Sequence, residues 1–205
     1  MIAVPDTILE AAEEGTPIEA NHLPAGIRRA PGSWLRRVGW ALLVIALVAG
    51  VDQLTKLVAR QALEGRGTVR VVGDVLVLRY VENEGAFLSL GSRWPAATRF
   101  LVFTVATAAA TVALTVYLLG ARSLDGFHRI ALACIVGGGI GNLIDRIAYH
   151  GAVIDFVNLG VGRLRTGIFN AADLAVMVGA VLLIVAPFRK TPPPGPGVTA
   201  KEGRG

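Results

Sequence analysis

Cysteine and histidine are scarce in this chain of 205 residues, which contains one cysteine and three histidines. The single cysteine, Cys134, excludes an intramolecular disulfide and a cysteine-ligated metal site. It lies within an apolar stretch, where a free cysteine behaves as a small hydrophobic residue. The histidines are scattered and lack the spacing of metal ligands. We therefore expect no metal and no other cofactor.

Charged residues are scarce as well. They make up 17% of the chain, hydrophobic residues make up 53%, and the mean hydropathy is +0.58. This composition excludes an ordinary soluble domain. The net charge of +5 and the isoelectric point near 10.0 favour contact with an anionic membrane surface. No pattern of basic and aromatic residues typical of nucleic-acid binding accompanies them, so we expect no nucleic-acid partner.

Four apolar stretches account for this composition. They cover residues 38–51, 100–121, 130–144 and 174–188. A helix needs about 20 residues to cross a bilayer, and three of the stretches reach that length only if polar residues at their ends are included. We therefore predict an all-α polytopic membrane protein with four transmembrane helices and with polar groups gathered at helix ends.

The segments that flank these stretches define the predicted domains. Residues 1–35 are rich in proline and acidic residues. Because the first apolar stretch begins only at residue 38, we expect a retained span and not a cleavable signal peptide. We predict disordered cytoplasmic tails over 1–35 and 191–205 and a membrane domain over 36–190. Basic residues flank the first and last spans, which places both termini in the cytoplasm by the positive-inside rule. Only these terminal clusters favour that orientation.

Residues 68–80, between the first two spans, favour a β-hairpin. They are rich in β-branched residues, and Gly73 and Asp74 supply a turn. An isolated hairpin is only marginally stable in water. We therefore expect this hairpin to lie on the membrane surface or to cover a site.

Two aspartates carry the main functional signal. Asp155 occurs in the sequence Val-Ile-Asp-Phe, and Asp173 directly precedes the last apolar stretch. A carboxylate at the mouth of a transmembrane helix is costly and usually marks function. Both acids fall between the third and fourth spans, so they can meet as a pair in which one acid activates water and the other polarises a carbonyl. The alternatives are a helix cap for Asp173 and a surface-loop acid for Asp155.

Other polar residues recur near the ends of the spans. Asn142 and Arg146 lie four residues apart on one helical face, where Asn142 could bind a substrate backbone and Arg146 could bind a lipid phosphate or pair with a carboxylate. Asp145 favours a local ion pair with Arg146. Asp52 and Lys56 are also four residues apart, with the acid first, which favours an ion pair at the membrane interface.

At two places, glycine residues predict that another part of the molecule or a substrate can approach the backbone closely. Gly137 and Gly141 form a G-x-x-x-G pattern in the third span, so another helix or a substrate can approach it closely. Asn83 and Gly85 follow the predicted hairpin, where the glycine allows a second close approach.

Three classes of protein fit these features. A peptidase would use the paired acids, whereas a transporter or channel would place its acids near the middle of the membrane in a repeated architecture. A non-catalytic lipid-binding or assembly protein would leave the paired acids without a role. The acids lie at one face and no half-repeat is visible, but the residues alone leave the three classes open.

The order of the motifs resembles that of the bacterial lipoprotein signal peptidases (signal peptidase II) over about residues 38–188. In chain order the motifs are Asp52-x-x-x-Lys56, Asn83-x-Gly85-Ala86, Gly141-Asn142-x-x-Asp145-Arg146, Val153-x-Asp155-Phe156 and Phe169-Asn170-x-Ala172-Asp173. The resemblance implies an aspartic endopeptidase of the bacterial inner membrane. Such enzymes remove the signal peptide from prolipoproteins directly before a cysteine that carries diacylglycerol.

The resemblance also implies roles for individual residues. The catalytic aspartates of the family correspond to Asp155 and Asp173, with the active site at the outer face of the membrane and without a metal. The implied residues that bind substrate or support the site are Asn83, Gly85, Asn142, Arg146, Asn170, Asp52 and Lys56. The hairpin corresponds to an extracytoplasmic cradle over the substrate. The implied partners are diacylglyceryl prolipoproteins and membrane lipid, and we expect a monomer. Phe87 departs from the family pattern, because this bulky residue comes one position early.

Overall fold

The computed structural model describes residues 31–84, 94–121 and 123–188, and long helices dominate this part of the chain. Helix α1 covers Pro31–Leu63, α2 covers Ala96–Gly120, α3 covers Gly126–Ala148 and α4 covers Ala171–Val185, which a 3-10 turn at Ala186–Phe188 extends. All four are long and apolar enough to cross a membrane. The predicted four transmembrane helices are therefore confirmed. The packing described below begins at residue 41.

Helix α3 is the central helix of the bundle. In its apolar stretch 50% of the residues are buried, against 11% in α2 and 11% in α4. Apart from Arg129 and Asp145, its buried residues are small or aliphatic, and several of them meet residues from α1 and α2 in one apolar core. The core consists of Ala41, Ile45, Leu118, Leu132, Ala133 and Val136. Because α3 packs against its neighbours on several sides, it holds the polar side chains of its last two turns, Asn142, Asp145 and Arg146, in fixed positions.

The predicted G-x-x-x-G pattern of α3 packs against α1. A β-carbon at Gly137 would lie 2.7 Å from Cβ of Val48, and a β-carbon at Gly141 would lie 3.0 Å from Cγ of Asp52. Real β-carbons do not tolerate such contacts. Gly137 therefore allows the two helices to approach, and Gly141 leaves room for the carboxylate of Asp52.

Arg129 joins α2 to α3 at the end of the bundle where α3 begins. Its side chain is buried, and it donates hydrogen bonds to the carbonyl oxygens of Leu118 at 3.2 Å and Ala121 at 3.0 Å. The last carbonyls of a helix have no partner within that helix, and a cation there interacts favourably with the helix dipole. Arg129 thus caps α2 and fixes the turn into α3.

A four-stranded antiparallel sheet lies at the other end of α3. Its strands are β1 (Thr68–Val72), β2 (Leu76–Asn83), β3 (Val153–Val161) and β4 (Leu164–Arg165), in that spatial order. The predicted hairpin is confirmed as β1 and β2. The sequence predicts no strand between the third and fourth spans, but β3 and β4 form there because apolar and β-branched residues of β3 pair with β2. Short connections join the sheet to the ends of α1 and α3.

Strand β2 contains one extra residue relative to β3. Leu78 pairs with Val157, whereas Val81 pairs with Asp155, so the register shifts by one between these positions. Side chains alternate between the two faces of a strand, so an extra residue reverses the face that the later residues present to their partners. The bulge thereby places Asn83 on the same face of the sheet as Asp155.

Candidate active site

Asp155 lies on β3 with only 3% of its surface exposed, which excludes a surface-loop acid. Asp173 lies in the first turn of α4, where Asn170 is the N-cap. The side chain of Asn170 accepts the backbone N–H of Asp173 at 2.9 Å, and Asp173 accepts the backbone N–H of Asn170 at 3.3 Å. This is a reciprocal capping box. The helix-cap interpretation of Asp173 is therefore confirmed, and the cap holds its carboxylate in one orientation.

Two buried or half-buried asparagine side chains connect the aspartates. Nδ2 of Asn170 donates to Oδ1 of Asp155 at 2.7 Å and to Oδ1 of Asn142 at 3.1 Å. Nδ2 of Asn142 in turn donates to Oδ1 of Asp173 at 2.9 Å. The structure thus brings together four residues that the sequence pointed to, and their amides form a continuous chain of hydrogen bonds between the two carboxylates.

The surroundings of Asp155 favour its protonated form. Burial raises the pKa of its carboxyl to about 6, and the negative charge of nearby Asp173 adds to the rise. Hydrogen bonds from Asn83, at 2.9 Å, and from Asn170 oppose the rise because they stabilise the carboxylate. A carboxyl with a pKa of about 6 can both hold and release a proton near neutral pH.

Lys56 lies at the centre of a buried ion cluster. Its Nζ is 2.8 Å from Oδ2 of Asp52 and 2.8 Å from Oδ2 of Asp145, and it donates to Oδ1 of Asn142 at 3.1 Å. These contacts use all three donors of the ammonium group. The predicted pair of Asp52 and Lys56 is confirmed, but it lies inside the bundle, where 0% and 2% of the two residues are exposed, and not at an interface.

Asp145 differs from expectation, since its ion pair is with Lys56 and not with Arg146. Neighbouring residues on a helix point about 100° apart, so the two side chains leave the helix in different directions. Arg146 is half-buried, donates to the backbone carbonyl of Asn142 at 3.1 Å, and interacts electrostatically with Asp173 and Asp155. Arg146 therefore lies close to both aspartates, and its predicted role in binding substrate stays a prediction, while Asp145 binds Lys56 within the bundle.

The carboxylates of the ion cluster also bind the backbone beside the two aspartates. Asp52 accepts the N–H of Ala172 at 2.8 Å, and Asp145 accepts the N–H of Ile154 at 2.9 Å. Asp52 and Asp145 therefore each bind the backbone of the residue that directly precedes a candidate catalytic aspartate.

Gln53 is a functional candidate that the sequence analysis missed. Its Nε2 donates to Oδ1 of Asp145 at 2.9 Å and to the carbonyl oxygen of Gly141 at 3.1 Å. A polar residue between Asp52 and Lys56 in an otherwise apolar span was the available signal. Gly85, by contrast, lies outside the described residues, so its predicted role stays a prediction.

Comparison with known proteins places this site in a family. Residues 44–189 match the family model for signal peptidase (SPase) II. The lipoprotein signal peptidase of Nitratidesulfovibrio vulgaris is 36% identical over 148 residues, which cover 72% of this chain and 88% of the relative. That of Paraburkholderia phymatum is 38% identical over 170 residues, which cover 82% of this chain and 93% of the relative.

A solved structure agrees with this result. It is a bacterial membrane enzyme determined by the in meso method at 2.3 Å resolution, with a TM-score of 0.60 and 25% identity over 73% of this chain and 88% of the other. The matched region of the family model contains every site residue described above, from Asp52 to Asp173. The protein is thus a multi-pass bacterial membrane protein, and the chain belongs to the signal peptidase II family, the aspartic proteases that remove signal peptides from prolipoproteins.

Proposed function

We propose that Asp155 and Asp173 are the catalytic pair and that the enzyme cuts directly before a cysteine modified with diacylglycerol. The observation that carries this proposal is the chain of amide hydrogen bonds that links the two carboxylates through Asn170 and Asn142. Two nearby carboxyls in a buried site share one proton, because both cannot ionise easily. The raised pKa of Asp155 supports such sharing near neutral pH.

The shared proton defines the chemical steps. The ionised aspartate takes a proton from water while the water oxygen bonds to the scissile carbonyl carbon, and the protonated aspartate donates its proton to the carbonyl oxygen. The tetrahedral intermediate then breaks its C–N bond. The first aspartate gives its proton to the leaving nitrogen, and the second regains a proton from the hydroxyl that becomes the new carbonyl. The pair returns to its singly protonated state.

The other site residues have supporting roles in this proposal. Asn142 and Asn170 hold the carboxylates, and Asn83 tunes the pKa of Asp155. Arg146 uses one donor on Asn142, so its remaining donors can bind ester or carbonyl oxygens of the lipidated substrate. Two more residues, Asp52 and Lys56, support the site through the ion cluster, and Gly85 is proposed to lie close to the substrate. Residues 36–190 form the peptidase domain.

The proposed site faces the outside of the cell. Four spans put both termini on one side, and the basic residues that flank the first and last spans favour the cytoplasm. The segments after α1 and α3, which carry the sheet, then lie outside. The substrate's acyl chains would stay in the bilayer, since exposing them to water costs about 0.8 kcal/mol for each CH₂. We propose that the enzyme acts as a monomer.

Cleavage of a diacylglyceryl prolipoprotein by the purified protein tests this proposal. We expect Asp155→Asn and Asp173→Asn each to reduce turnover by about 10⁴-fold or more. Asp125→Asn is the matched control, because Asp125 is an exposed N-cap at the opposite end of α3 and asparagine caps equally well. Mass spectrometry should find the modified cysteine at the new N-terminus. Normal turnover by either dyad variant would refute the catalytic pair, and equal cleavage of an unmodified precursor would refute the lipid requirement.

A further inference from the structure

One ion pair joins the end of β2 to the start of α2. Nη2 of Arg99, in the first turn of α2, lies 2.7 Å from Oε2 of Glu84, the residue that directly follows β2. The side chain of Arg99 is only 18% exposed, whereas that of Glu84 is 68% exposed. The arginine is therefore packed against the protein, and the pair ties a strand of the sheet to a membrane helix.

The helix that carries Arg99 does not by itself favour this residue. A cation in the first turn of a helix interacts unfavourably with the helix dipole. The N-cap of α2 is Pro95, which supplies no side-chain hydrogen bond to the helix. Glu84 brings from the end of β2 the negative charge that the start of a helix favours. The pair therefore belongs to the contact between α2 and β2.

The next residue of α2 contacts the chain just before β3. A β-carbon at Gly151 would lie 3.4 Å from Cα of Phe100. Gly151 has a φ of +107°, which favours glycine, and it lies two residues before Val153, the first residue of β3. Glycine at this position thus lets the start of α2 approach the start of β3.

These two contacts hold both members of one strand pair. Asn83, which directly precedes Glu84, is the register partner of Val153. The side chain of Asn83 donates a hydrogen bond to Oδ2 of Asp155 at 2.9 Å. The two strand ends that α2 contacts are therefore the ends that bring the amide of Asn83 to the carboxyl of Asp155.

We propose that Arg99 is a positioning residue, which holds Glu84 and thereby keeps the side chain of Asn83 on the carboxyl of Asp155. Successive residues of an extended chain point in opposite directions, so Glu84 binds α2 while Asn83 faces the site. A hydrogen bond weakens steeply as its angle departs from linearity. A small displacement of the backbone at Glu84 is therefore enough to weaken the bond between Asn83 and Asp155.

Charged groups on three other elements act directly on Asp155. Asp173 of α4 raises the pKa of its carboxyl, Lys56 of α1 lowers it, and Arg146 of α3 interacts with it electrostatically. Substitutions at Glu84 or Arg99 leave these three groups in place.

The direction of the pKa change separates positioning from a direct effect of charge. Loss of the hydrogen bond from Asn83 raises the pKa of Asp155, because that bond stabilises the carboxylate. Under the proposal, breaking the pair from either side therefore raises this pKa. Charges that acted directly would give opposite results, since removing the anion of Glu84 lowers the pKa and removing the cation of Arg99 raises it.

The alkaline limb of kcat/KM against pH, measured with a diacylglyceryl prolipoprotein in detergent, tests the proposal, which rests on the proposed peptidase function. We expect Glu84→Gln and Arg99→Gln each to move the limb upwards by about half a pH unit, the size expected for one hydrogen bond to a carboxyl. The reversed pair, Glu84→Arg with Arg99→Glu, should return the limb towards its position in the wild type. Adding Glu84→Gln to Asn83→Ala should cause no further shift.

Glu64→Gln is the matched control. It breaks another exposed ion pair, between Glu64 and Arg60 on α1, and should leave the limb in place. Since Glu84 is largely exposed, Glu84→Gln should fold even if Arg99→Gln does not, and the direction of its shift alone then decides.

A limb that stays in place or moves downwards in Glu84→Gln would overturn the proposal. So would a further shift when Glu84→Gln is added to Asn83→Ala, because Glu84 would then act by another route. Absence of cleavage by the wild type would overturn the peptidase function and this proposal together. A normal wild-type profile with unmoved limbs in the variants would overturn this proposal alone.

Discussion

The carboxylate of Asp145 accepts the backbone N–H of Ile154 at 2.9 Å. Ile154 directly precedes Asp155, so a buried residue in the last turn of α3 holds the strand segment that carries a proposed catalytic carboxylate. Asp145 is itself 1% exposed and bound to Lys56 at 2.8 Å. The position of Asp155 therefore depends on an ion pair that takes no part in the proposed chemistry.

The second aspartate is held in the same way. Asp52 accepts the N–H of Ala172, which directly precedes Asp173, at 2.8 Å. Lys56 binds Asp52 as well as Asp145, so a single ammonium group supports both halves of the site. The relative placement of the carboxyls of Asp155 and Asp173 therefore depends on the geometry around this one cation.

We expect Lys56→Met to destabilise the protein by about 3–5 kcal/mol, because it leaves Asp52 and Asp145 buried without a counter-charge. Cleavage should also fall, by about 100-fold, as the segments that carry the catalytic pair shift. The measurements are the thermal midpoint in detergent and the turnover of prolipoprotein at low temperature. Adding Asp145→Asn to Lys56→Met should restore part of the midpoint, since one unpaired charge is removed.

Arg60→Met is the matched control for the cation. Arg60 lies one turn further along α1 and pairs with Glu64, but that pair is largely exposed. Exposed ion pairs contribute little to stability, so the midpoint should be nearly unchanged. An unaltered midpoint in Lys56→Met would show that the buried cluster is not the support described here.

Gly141→Ala should damage the site through a single methyl group. The new β-carbon would collide with the carboxylate of Asp52, which has to move and release Ala172. We expect a lower thermal midpoint and a loss of turnover of about 100-fold. Gly50→Ala is the control within a membrane helix, because a β-carbon there meets no atom within 4 Å. Equal behaviour of the two variants would contradict the proposed close contact.

The pH dependence of cleavage should report on Asp155. Burial raises the pKa of this carboxyl from 3.8 to about 6. Between these two pH values Asp155 is mostly protonated in the folded enzyme but mostly ionised in the unfolded chain. Catalysis needs one proton on the pair, and the rate should therefore decline as pH rises above about 6. Profiles of kcat/KM against pH, measured well below saturation with a prolipoprotein substrate, report this alkaline limb of the free enzyme.

Asn83→Ala should move the alkaline limb to higher pH. The hydrogen bond from Asn83 stabilises the carboxylate and lowers the pKa of Asp155, so its removal lets that pKa rise further. Asn158→Ala is the control, since Asn158 lies on the same strand as Asp155 but donates to the backbone oxygen of Thr166. A limb that moves to lower pH in Asn83→Ala would contradict the assignment.

Arg129→Met should separate stability from catalysis. The variant loses the hydrogen bonds that cap α2, which we expect to cost about 2 kcal/mol. The proposed catalytic pair lies near the other end of α3, roughly 25 Å away at 1.5 Å per residue. The thermal midpoint should fall while turnover well below it stays normal, and Arg66→Met, at an exposed position, should change neither. A fall in turnover at low temperature would show that the cap also shapes the site.

Local patterns in the sequence predict much of this molecule. The length of the apolar stretches predicts the spans, and the turn at Gly73 predicts the hairpin. Charge at the mouth of a helix singles out Asp155 and Asp173, because few other roles offset its cost in a membrane. Spacing of four residues predicts the pair of Asp52 and Lys56, since both partners lie on one helix.

Contacts between distant segments could not be predicted in this way. Strand β3 pairs with β2, which precedes it by about 70 residues, and no local pattern identifies that partner. Asp145 joins Lys56 from another helix, so its adjacency to Arg146 in the sequence predicted the wrong partner. The bulge that turns Asn83 towards Asp155 is a property of the pairing, not of either strand alone.

The hydrogen bond between Asp52 and Ala172 spans 120 residues, from the first helix to the last. The chain is made from its N-terminus, so during synthesis Asp52 must enter the membrane long before its final partners exist. Lys56, one turn away, allows α1 to insert as a neutral unit, and α3 and α4 then complete the cluster in turn. No shorter nascent chain contains an assembled pair of carboxylates. The proposed mechanism needs both carboxyls, so proteolytic activity begins only when the last span, which carries Asp173, is in place.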